Sequence, residues 1–247
     1  MCFSFSHIQP NTVVIAPVGI FKVKAHPLKL KPLPATQPTI HFYYANGFTY
    51  PAIPVITAEQ PDVVQCYHWG LVPPWVKTLE QANEIRKNTL NARIESVTEK
   101  PAFRSSVKQH RCLIPATGFF EWRDIGSKKY PYLILVKDEE PGFVRTFCFA
   151  GLYNQWVNHE TAEVTDTCTI LTTDANNIMA TIHNSKKRMP VILTPEQEPL
   201  WLQPELPEQW IQQFTKPYPD AEMMAYSISK RITQRGVERN VPELLEY

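Results

Sequence analysis

Proline is abundant and glycine is scarce in this chain of 247 residues, which has 23 prolines and 8 glycines. Proline fixes its backbone angle and removes a hydrogen-bond donor, so long helices are disfavoured. Short apolar runs, several of them alternating, lie between the prolines, which is typical of strands joined by rigid loops. The pattern predicts an α+β fold, with residues 1–247 as a single domain, a strand-rich core and short flanking helices.

The apolar runs predict strands along the whole chain. They cover 2–7, 12–16, 20–23, 40–44, 52–57, 64–70, 111–114, 118–123, 132–137, 146–153, 167–173, 189–193 and 223–227. Pro115 is expected to separate the strands at 111–114 and 118–123, and the proline-rich segment 26–37 is expected to be a loop. Short helices are expected at 80–86, 100–107, 175–182 and 207–214. A further helix is expected to begin at Thr194, with this residue as its N-cap.

The net charge of +1 gives no general attraction to nucleic acid, so any such binding requires a local patch. The five cysteines are odd in number, far apart and without CxxC spacing, which predicts neither a disulfide framework nor a zinc site. We expect no metal and no cofactor. The sequence shows neither a signal peptide nor an apolar run long enough to span a membrane. These features predict a cytoplasmic protein with no membrane partner.

Cys2 is the first candidate reactive group. If Met1 is removed, Cys2 carries an α-amine and a thiol on adjacent carbon atoms. The amine has a pKa near ~8 and can be neutral in the cell, and the adjacent positive charge would favour the thiolate. The amine of such an aminothiol attacks an aldehyde and forms an imine, and the sulfur then closes the imine to a thiazolidine ring. The alternative is that Cys2 is an incidental residue of a disordered terminus.

Glu121 and His183 are candidate proton carriers. Glu121 lies among the three aromatic residues of 118–122, and an apolar setting would raise its pKa; alternatively it faces solvent. His183 follows a predicted helix and could act as a general acid or base, or it is a solvated loop residue. The basic run 186–188, which includes Arg188, is the best local anion site, although such runs are usually solvated.

Asn91 could contribute to a polar surface, because residues 91, 93 and 95 would share one face of a strand. The planar guanidinium groups of Arg93 and Arg104 suit phosphate. Trp75, held by the prolines before it, could stack on a nucleobase. The sequence alone favours a place in the core for this tryptophan.

Taken together, these residues resemble the SRAP family (SOS response-associated peptidases), whose members crosslink to abasic sites in single-stranded DNA. The matching segments lie in family order and extend from residue 1 to about 205. They are 1–2, 69–75, 91–93, 111–116, 118–122, 150–152, 171–173, 182–183 and 188–191.

The resemblance implies a β-barrel-like core and a positively charged groove for single-stranded DNA, with the amino-terminal cysteine at its base. It implies that Cys2 forms a thiazolidine with the aldehyde of the ring-opened sugar. Asn91 would hold the amino terminus or the sugar, Glu121 would assist proton transfer, and His183 would protonate the departing sugar oxygen. The implied DNA contacts are Arg93, Arg104, Trp75, Thr172 and Arg188.

Two departures from the family pattern stand out. Phe3 and Ser4 replace the Gly-Arg pair that commonly follows the cysteine, and four residues separate His183 from Arg188. The leading prediction is a monomeric, nucleoid-associated abasic-site crosslinker with lyase-like chemistry. The alternatives are an N-terminal-nucleophile amidohydrolase or self-processing peptidase that uses Cys2, Glu121 and His183, and a non-catalytic module that binds single-stranded DNA through Trp75 and the arginines.

Overall fold

A computed structural model describes residues 2–28 and 41–246. In this part of the chain the strands are β1 (Ser4–His7), β2 (Val13–Ala16), β3 (Gly19–Lys24), β4 (Phe42–Asn46), β5 (Ala52–Thr57), β6 (Gln65–Trp69), β7 (Asn91–Arg93), β8 (Arg111–Ala116), β9 (Gly118–Ile125), β10 (Lys128–Val136), β11 (Phe143–Arg145), β12 (Phe147–Val157), β13 (Val164–Asp174), β14 (Arg188–Pro190), β15 (Ile192–Leu193) and β16 (Met223–Ser227). The α-helices are α1 (Leu79–Arg86), α2 (Ser106–Gln109), α3 (Asn177–Ile182), α4 (Gln197–Trp201) and α5 (Glu208–Ile211). The remaining helical segments are short 3-10 helices.

The centre of the fold is a barrel of five strands. The order is β13-β6-β5-β8-β12, and antiparallel pairing of β12 with β13 closes it. Every residue of β8 is buried, because its two faces both meet apolar side chains. The predicted α+β class, with a barrel-like core and short helices, is confirmed.

A second sheet of five strands packs against the barrel, in the order β16-β10-β9-β1-β4. All four residues of β1 are buried. Phe5 of β1 makes edge-to-face contacts with Trp69 and Phe149 of the barrel, at ring-centroid distances of 5.4 and 5.7 Å. These contacts place the amino terminus of the chain between the two sheets.

The third sheet contains β11, β3 and β2. Its strand β3 leads directly to His26, and β15 leads through Thr194 to α4. No helix in residues 2–28 and 41–246 is long and apolar enough to cross a membrane.

Several predicted boundaries are wrong for identifiable reasons. Strand β8 continues through Pro115, which lies opposite Cys148 of β12. The helix expected at Thr194 begins at Gln197, although the Gln197 side chain accepts a hydrogen bond from the Thr194 N–H at 3.0 Å, as in a capping box. Only Ser106–Gln109 of the predicted helix 100–107 is α-helical. Most of the predicted loop 26–37 lies outside the described residues.

Candidate active site

Cys2 lies at the amino-terminal end of β1, inside the core. Its side chain is 0% exposed, and its thiol donates a hydrogen bond to the Ser4 carbonyl, with 3.6 Å between Sγ and O. Burial raises the pKa of the Cys2 thiol, and the negative charge of Glu121 acts in the same direction. The thiol is therefore protonated at neutral pH. The predicted thiolate concerns the protein without Met1, in which the α-amine lies on Cys2 itself, and stays a prediction.

Glu121 lies on β9, the strand that pairs with β1. Phe5 is opposite Phe119 in this antiparallel pair, and the same register continued along the strands brings Phe3 opposite Glu121. The Glu121 side chain is 4% exposed, and burial raises its pKa to about 7. The prediction of a raised pKa is confirmed. Such a carboxyl group can both give and take a proton at neutral pH.

His183 follows α3 and is buried, so it is not a solvated loop residue. Its backbone N–H donates to the Met179 carbonyl at 2.7 Å, and its Nδ1 lies 2.9 Å from the Arg188 carbonyl oxygen. That contact favours the tautomer with the proton on Nδ1 and the lone pair on Nε2. Burial lowers the pKa of His183, so the imidazole is neutral at pH 7.

The loop after His183 is fastened to β9. The Asn184 side chain accepts a hydrogen bond from the Asp124 N–H at 3.1 Å and donates one to the Asp124 carbonyl at 2.8 Å. Lys187, with a φ of 49°, donates its N–H to the His183 carbonyl at 2.8 Å. The four residues before Arg188 therefore form an ordered turn, which holds the imidazole beside the strand that carries the buried glutamate.

Glu121 and His183 line one cleft of about 460 Å³. Two lysines, Lys129 and Lys186, line the cleft, and Lys129 forms an ion pair with Asp124 at 2.7 Å that partly offsets its charge. The other lining residues are Phe3, Ser4, Tyr44, Asn46, Phe48, Trp122 and Ser185. The structure thus brings the two predicted proton carriers together at one concave surface, and the buried Cys2 lies close enough to Glu121 for the negative charge of the glutamate to raise the pKa of its thiol.

An aromatic pair forms one edge of this cleft. The rings of Phe3 and Phe48 are 4.7 Å apart between centroids, and Phe48 is 58% exposed. Sequence reasoning noted Phe3 only as a departure from the family pattern and did not single out Phe48. The presence of Phe3 in place of the family's glycine could have pointed to this pair, because an aromatic residue beside a reactive terminus offers a stacking surface.

Asn91 begins β7, beside Ile170 of β13. Its amide nitrogen and oxygen are buried, and neither has a hydrogen-bond partner in the described part of the chain. Such a buried group costs about 1–3 kcal/mol. Asn91 does not line the cleft, although the preceding Leu90 belongs to the same buried cluster as Cys2. The orphaned amide marks Asn91 as a candidate binding group.

The polar face expected on 91–95 does not form as predicted. Strand β7 ends at Arg93, and Ile94–Ser96 turns into a 3-10 helix. Glu95 instead accepts two hydrogen bonds from Arg188, at 2.9 and 2.7 Å. The turn has redirected this carboxylate from the strand face to an ion pair with the buried Arg188.

The other predicted DNA contacts lie outside the cleft. Arg93 and Arg104 are exposed. Trp75 is 57% exposed and borders a separate groove of about 840 Å³ beside α1, so its expected place in the core is wrong. Thr172 is buried, and its hydroxyl donates to the Ala92 carbonyl at 3.3 Å.

Arg188 points inward rather than toward solvent. Its side chain is 5% exposed and lies 2.7 Å from Glu95 and 2.6 Å from Asp174. It also donates to the Thr172 carbonyl at 2.8 Å. Within the basic run 186–188, the two lysines are exposed. Arg188, on β14, links this strand to Asp174 of β13 and to Glu95 after β7.

Comparisons with known proteins agree with this architecture. Residues 19–235 match the family described as SOS response associated peptidase (SRAP). The chain is 40% identical over 180 residues to the abasic site processing protein YoqW of Bacillus subtilis (strain 168), covering 72% of this chain and 74% of that protein. It is 32% identical over 145 residues to the abasic site processing protein HMCES of Gallus gallus, covering 53% of this chain and 42% of that protein. A crystal structure of a Bacteroides thetaiotaomicron protein superposes with a TM-score of 0.75 and 43% identity, over 82% of this chain and 84% of that one.

Proposed function

The chain belongs to the SOS response associated peptidase (SRAP) family, and from this premise we propose that it processes abasic sites in DNA. In the proposed reaction, the protein binds single-stranded DNA and Cys2, freed of Met1, forms a thiazolidine with the aldehyde of the ring-opened sugar. The observation that carries the proposal is the buried Cys2 thiol beside Glu121, at a cleft that His183 also lines. Relatives named abasic site processing proteins support the choice of lesion.

The proposed crosslink needs two bond-forming steps at the aldehyde carbon. The α-amine of Cys2 adds first, and the carbinolamine loses water to give an imine. Sγ then adds to the imine carbon, and the thiol proton passes to the imine nitrogen. Aminothiol and aldehyde therefore combine with release of one water molecule, and no oxidant or metal is consumed.

Glu121 is suited to move the protons of both steps. Its pKa of about 7 populates the acid and the carboxylate together at neutral pH. The acid form can protonate the departing hydroxyl of the carbinolamine. The carboxylate can then accept the thiol proton, which matters because the buried thiol is not ionised beforehand.

His183 and Asn91 have supporting roles in this proposal. His183 would accept the anomeric hydroxyl proton at Nε2 and deliver it to the ring oxygen as the sugar opens, and its lowered pKa makes the transient imidazolium a stronger acid. Asn91 would use its buried amide to hold the new amino terminus or the sugar. The imine stage would also permit lyase-like strand cleavage.

The wall of the cleft fits a flexible nucleic acid strand. Lys129 and Lys186 supply charge for phosphate, and the exposed ring of Phe48 offers a stacking surface. Base stacking on an aromatic side chain contributes about 1–3 kcal/mol per base and does not depend on sequence. We propose action as a monomer, in the cytoplasm and at the nucleoid when bound to DNA.

The test is a denaturing gel of mature protein incubated with single-stranded DNA that contains one abasic site. The expected result is a band that survives denaturation, that needs the abasic site and that is lost in Cys2→Ala. Cys66→Ala, which changes another non-disulfide cysteine, is the matched control and should retain the band. Absence of the adduct with mature protein, or an equal adduct with Cys2→Ala, would refute the proposal.

A second candidate is self-processing at the Met1–Cys2 peptide bond, which the same convergence of Cys2, Glu121 and His183 supports. It predicts that purified protein loses Met1 without an aminopeptidase and that Glu121→Ala retains it. The mass of the amino-terminal peptide distinguishes these outcomes. Binding of DNA that is indifferent to both the lesion and Cys2 would instead indicate the non-catalytic module.

A further inference from the structure

A cysteine, a histidine and a glutamate meet at a second place in the fold. His26 follows β3, Cys148 lies on β12, and Glu198 lies on α4. The Nε2 atom of His26 is 3.0 Å from Oε1 of Glu198 and 3.4 Å from Sγ of Cys148. All three donor atoms lie within 4.8 Å of one another. None of these residues lines the cleft of Glu121 and His183.

The cluster is buried, and no lysine or arginine among the described residues pairs with it. Cys148 is 0% exposed, and the side chains of His26 and Glu198 are 7% and 3% exposed. The two cations at the adjoining cavity are engaged elsewhere: Lys24 with Asp138 and Glu140, and Arg145 with Tyr218 and Glu222. In the described chain, Glu198 therefore has only an imidazole and a thiol to offset its charge, and burying a charge in this way is costly.

We propose that His26, Cys148 and Glu198 bind a divalent transition-metal ion of the Zn²⁺ type. Thiolate, imidazole and carboxylate are the donors that Zn²⁺ prefers. With the usual bond lengths, tetrahedral Zn²⁺ separates N and S ligands by about 3.6 Å and N and O ligands by about 3.4 Å. The observed separations of 3.4 and 3.0 Å are close to these values. Two of the three donor separations are thus already close to the required spacing.

A fourth position is open toward solvent. His26 and Glu198 both line a cavity of about 220 Å³ at the surface. A water molecule there would complete four ligands, as at zinc sites with three protein ligands. The cavity also provides the entry path that a metal site requires.

Binding redistributes two protons. Cys148 is protonated in the absence of an ion, because burial and Glu198 raise its pKa, and its proton is released to solvent when Sγ binds the ion. The Leu28 N–H donates to Nδ1 of His26 at 3.2 Å, which places the imidazole proton on Nε2. That proton moves to Nδ1 as Nε2 binds the ion, so the Leu28 amide must turn away.

The ion would join three parts of the chain that are distant in sequence. His26 is 122 residues from Cys148 and 172 residues from Glu198. It would tie the three-stranded sheet to the barrel and to α4. Because the ion binds the folded state, it would stabilise this arrangement in proportion to its concentration.

The test is titration of chelator-treated full-length protein with Co²⁺ alone. We expect one Co²⁺ per chain, with a near-ultraviolet thiolate-to-cobalt charge-transfer band and an increase in the melting temperature. Cys148→Ser should lose the band. Cys112→Ser, which changes an equally buried cysteine on β8, and Cys2→Ser should both retain it. His26→Gln should weaken binding at least tenfold.

Circular dichroism establishes that each variant is folded before titration. The proposal is wrong if the folded wild-type protein gives no charge-transfer band, or if the band persists in Cys148→Ser. It is also wrong if the band disappears in Cys2→Ser, since the amino terminus would then be the ligand. None of these outcomes depends on the proposed DNA chemistry.

Discussion

Burial decides the protonation of the groups at the cleft. It raises the pKa of the Cys2 thiol and of Glu121, and it lowers the pKa of His183. At neutral pH the thiol and the imidazole are therefore uncharged, and only the glutamate is near its midpoint. A site of this kind depends on one carboxyl group for proton movement.

Glu121 should make stability depend on pH. Its folded pKa of about 7 exceeds the ordinary value of 4.5, so folding favours the protonated form. The corresponding stability is complete below pH 4.5 and is lost as pH rises through 7. A shift of this size corresponds to roughly 3 kcal/mol. In denaturant unfolding of protein that retains Met1, Glu121→Gln should lack this loss.

The control for this prediction is Glu99→Gln, which changes an exposed carboxylate. It should keep the pH dependence of the wild-type protein. If Glu121→Gln loses stability between acidic and alkaline pH as the wild type does, the raised pKa of Glu121 is not the cause.

Phe48 should contribute to DNA affinity by stacking. Phe48→Ala removes the exposed ring beside Phe3 and should weaken binding of single-stranded DNA by about 1–3 kcal/mol. Trp210→Ala, which removes an exposed ring outside the cleft, should leave the affinity unchanged. Fluorescence anisotropy with Cys2→Ala protein keeps the binding reversible. Equal losses of DNA affinity in Phe48→Ala and Trp210→Ala would contradict the stacking role of Phe48.

Two elements position the site: strand β9 and the turn between α3 and β14. The turn is held by Asn184 on one side and by the ion pairs of Arg188 on the other. We therefore expect Arg188 to act on the site through the fold rather than through contact with DNA.

Replacing Arg188 should therefore affect stability and not phosphate binding. Arg188→Met removes the bonds to Glu95, Asp174 and the buried Thr172 carbonyl and should lower the free energy of unfolding by roughly 2 kcal/mol. Arg93→Met, at an exposed position, should change it by less than about 0.5 kcal/mol. Urea unfolding measures both. If Arg188→Met leaves the free energy of unfolding unchanged, the contacts of Arg188 with Glu95, Asp174 and Thr172 do not stabilise the fold.

Individual elements were predictable where the local pattern is strong. The strand at 52–57 and the strand at 223–227 have the predicted bounds, because alternating or continuous apolar runs determine them. The prediction that Pro115 interrupts the strand is wrong. Strand β8 pairs with β12 on both sides of this proline, although proline has no N–H to donate. The helix predicted to begin at Thr194 begins at Gln197. Thr194 makes the capping contact with the Gln197 side chain, but its own backbone is not helical.

The candidate site itself could be predicted only in part. Cys2, Glu121 and His183 were identified from their neighbours in sequence and from the family resemblance. The triad of His26, Cys148 and Glu198 could not be found in this way, because barrel closure brings together residues with no shared motif. The buried state of Cys2 likewise depends on packing between two sheets.

The molecule as a whole carries a net charge of only +1, so DNA affinity should depend modestly on salt. Each phosphate neutralised on a single strand contributes a slope of about −0.7 in log K against log salt. With Lys129, Lys186, Arg93 and Arg104 in contact, the slope should be about −3. Each alanine replacement should reduce it by about 0.7. Arg188→Met should leave it unchanged, and a reduced slope in that variant would contradict the inward role.

The central claim is that the α-amine of Cys2 is as necessary as its sulfur. Mass analysis of the amino-terminal peptide after reaction with abasic single-stranded DNA tests it most directly. We expect mature protein to give a stable adduct lighter by one water than its two components. Cys2→Ser should give a borohydride-reducible imine, protein that retains Met1 should give no stable adduct, and protein with an acetylated amine should give no adduct. A stable adduct from protein with a blocked amine would contradict it.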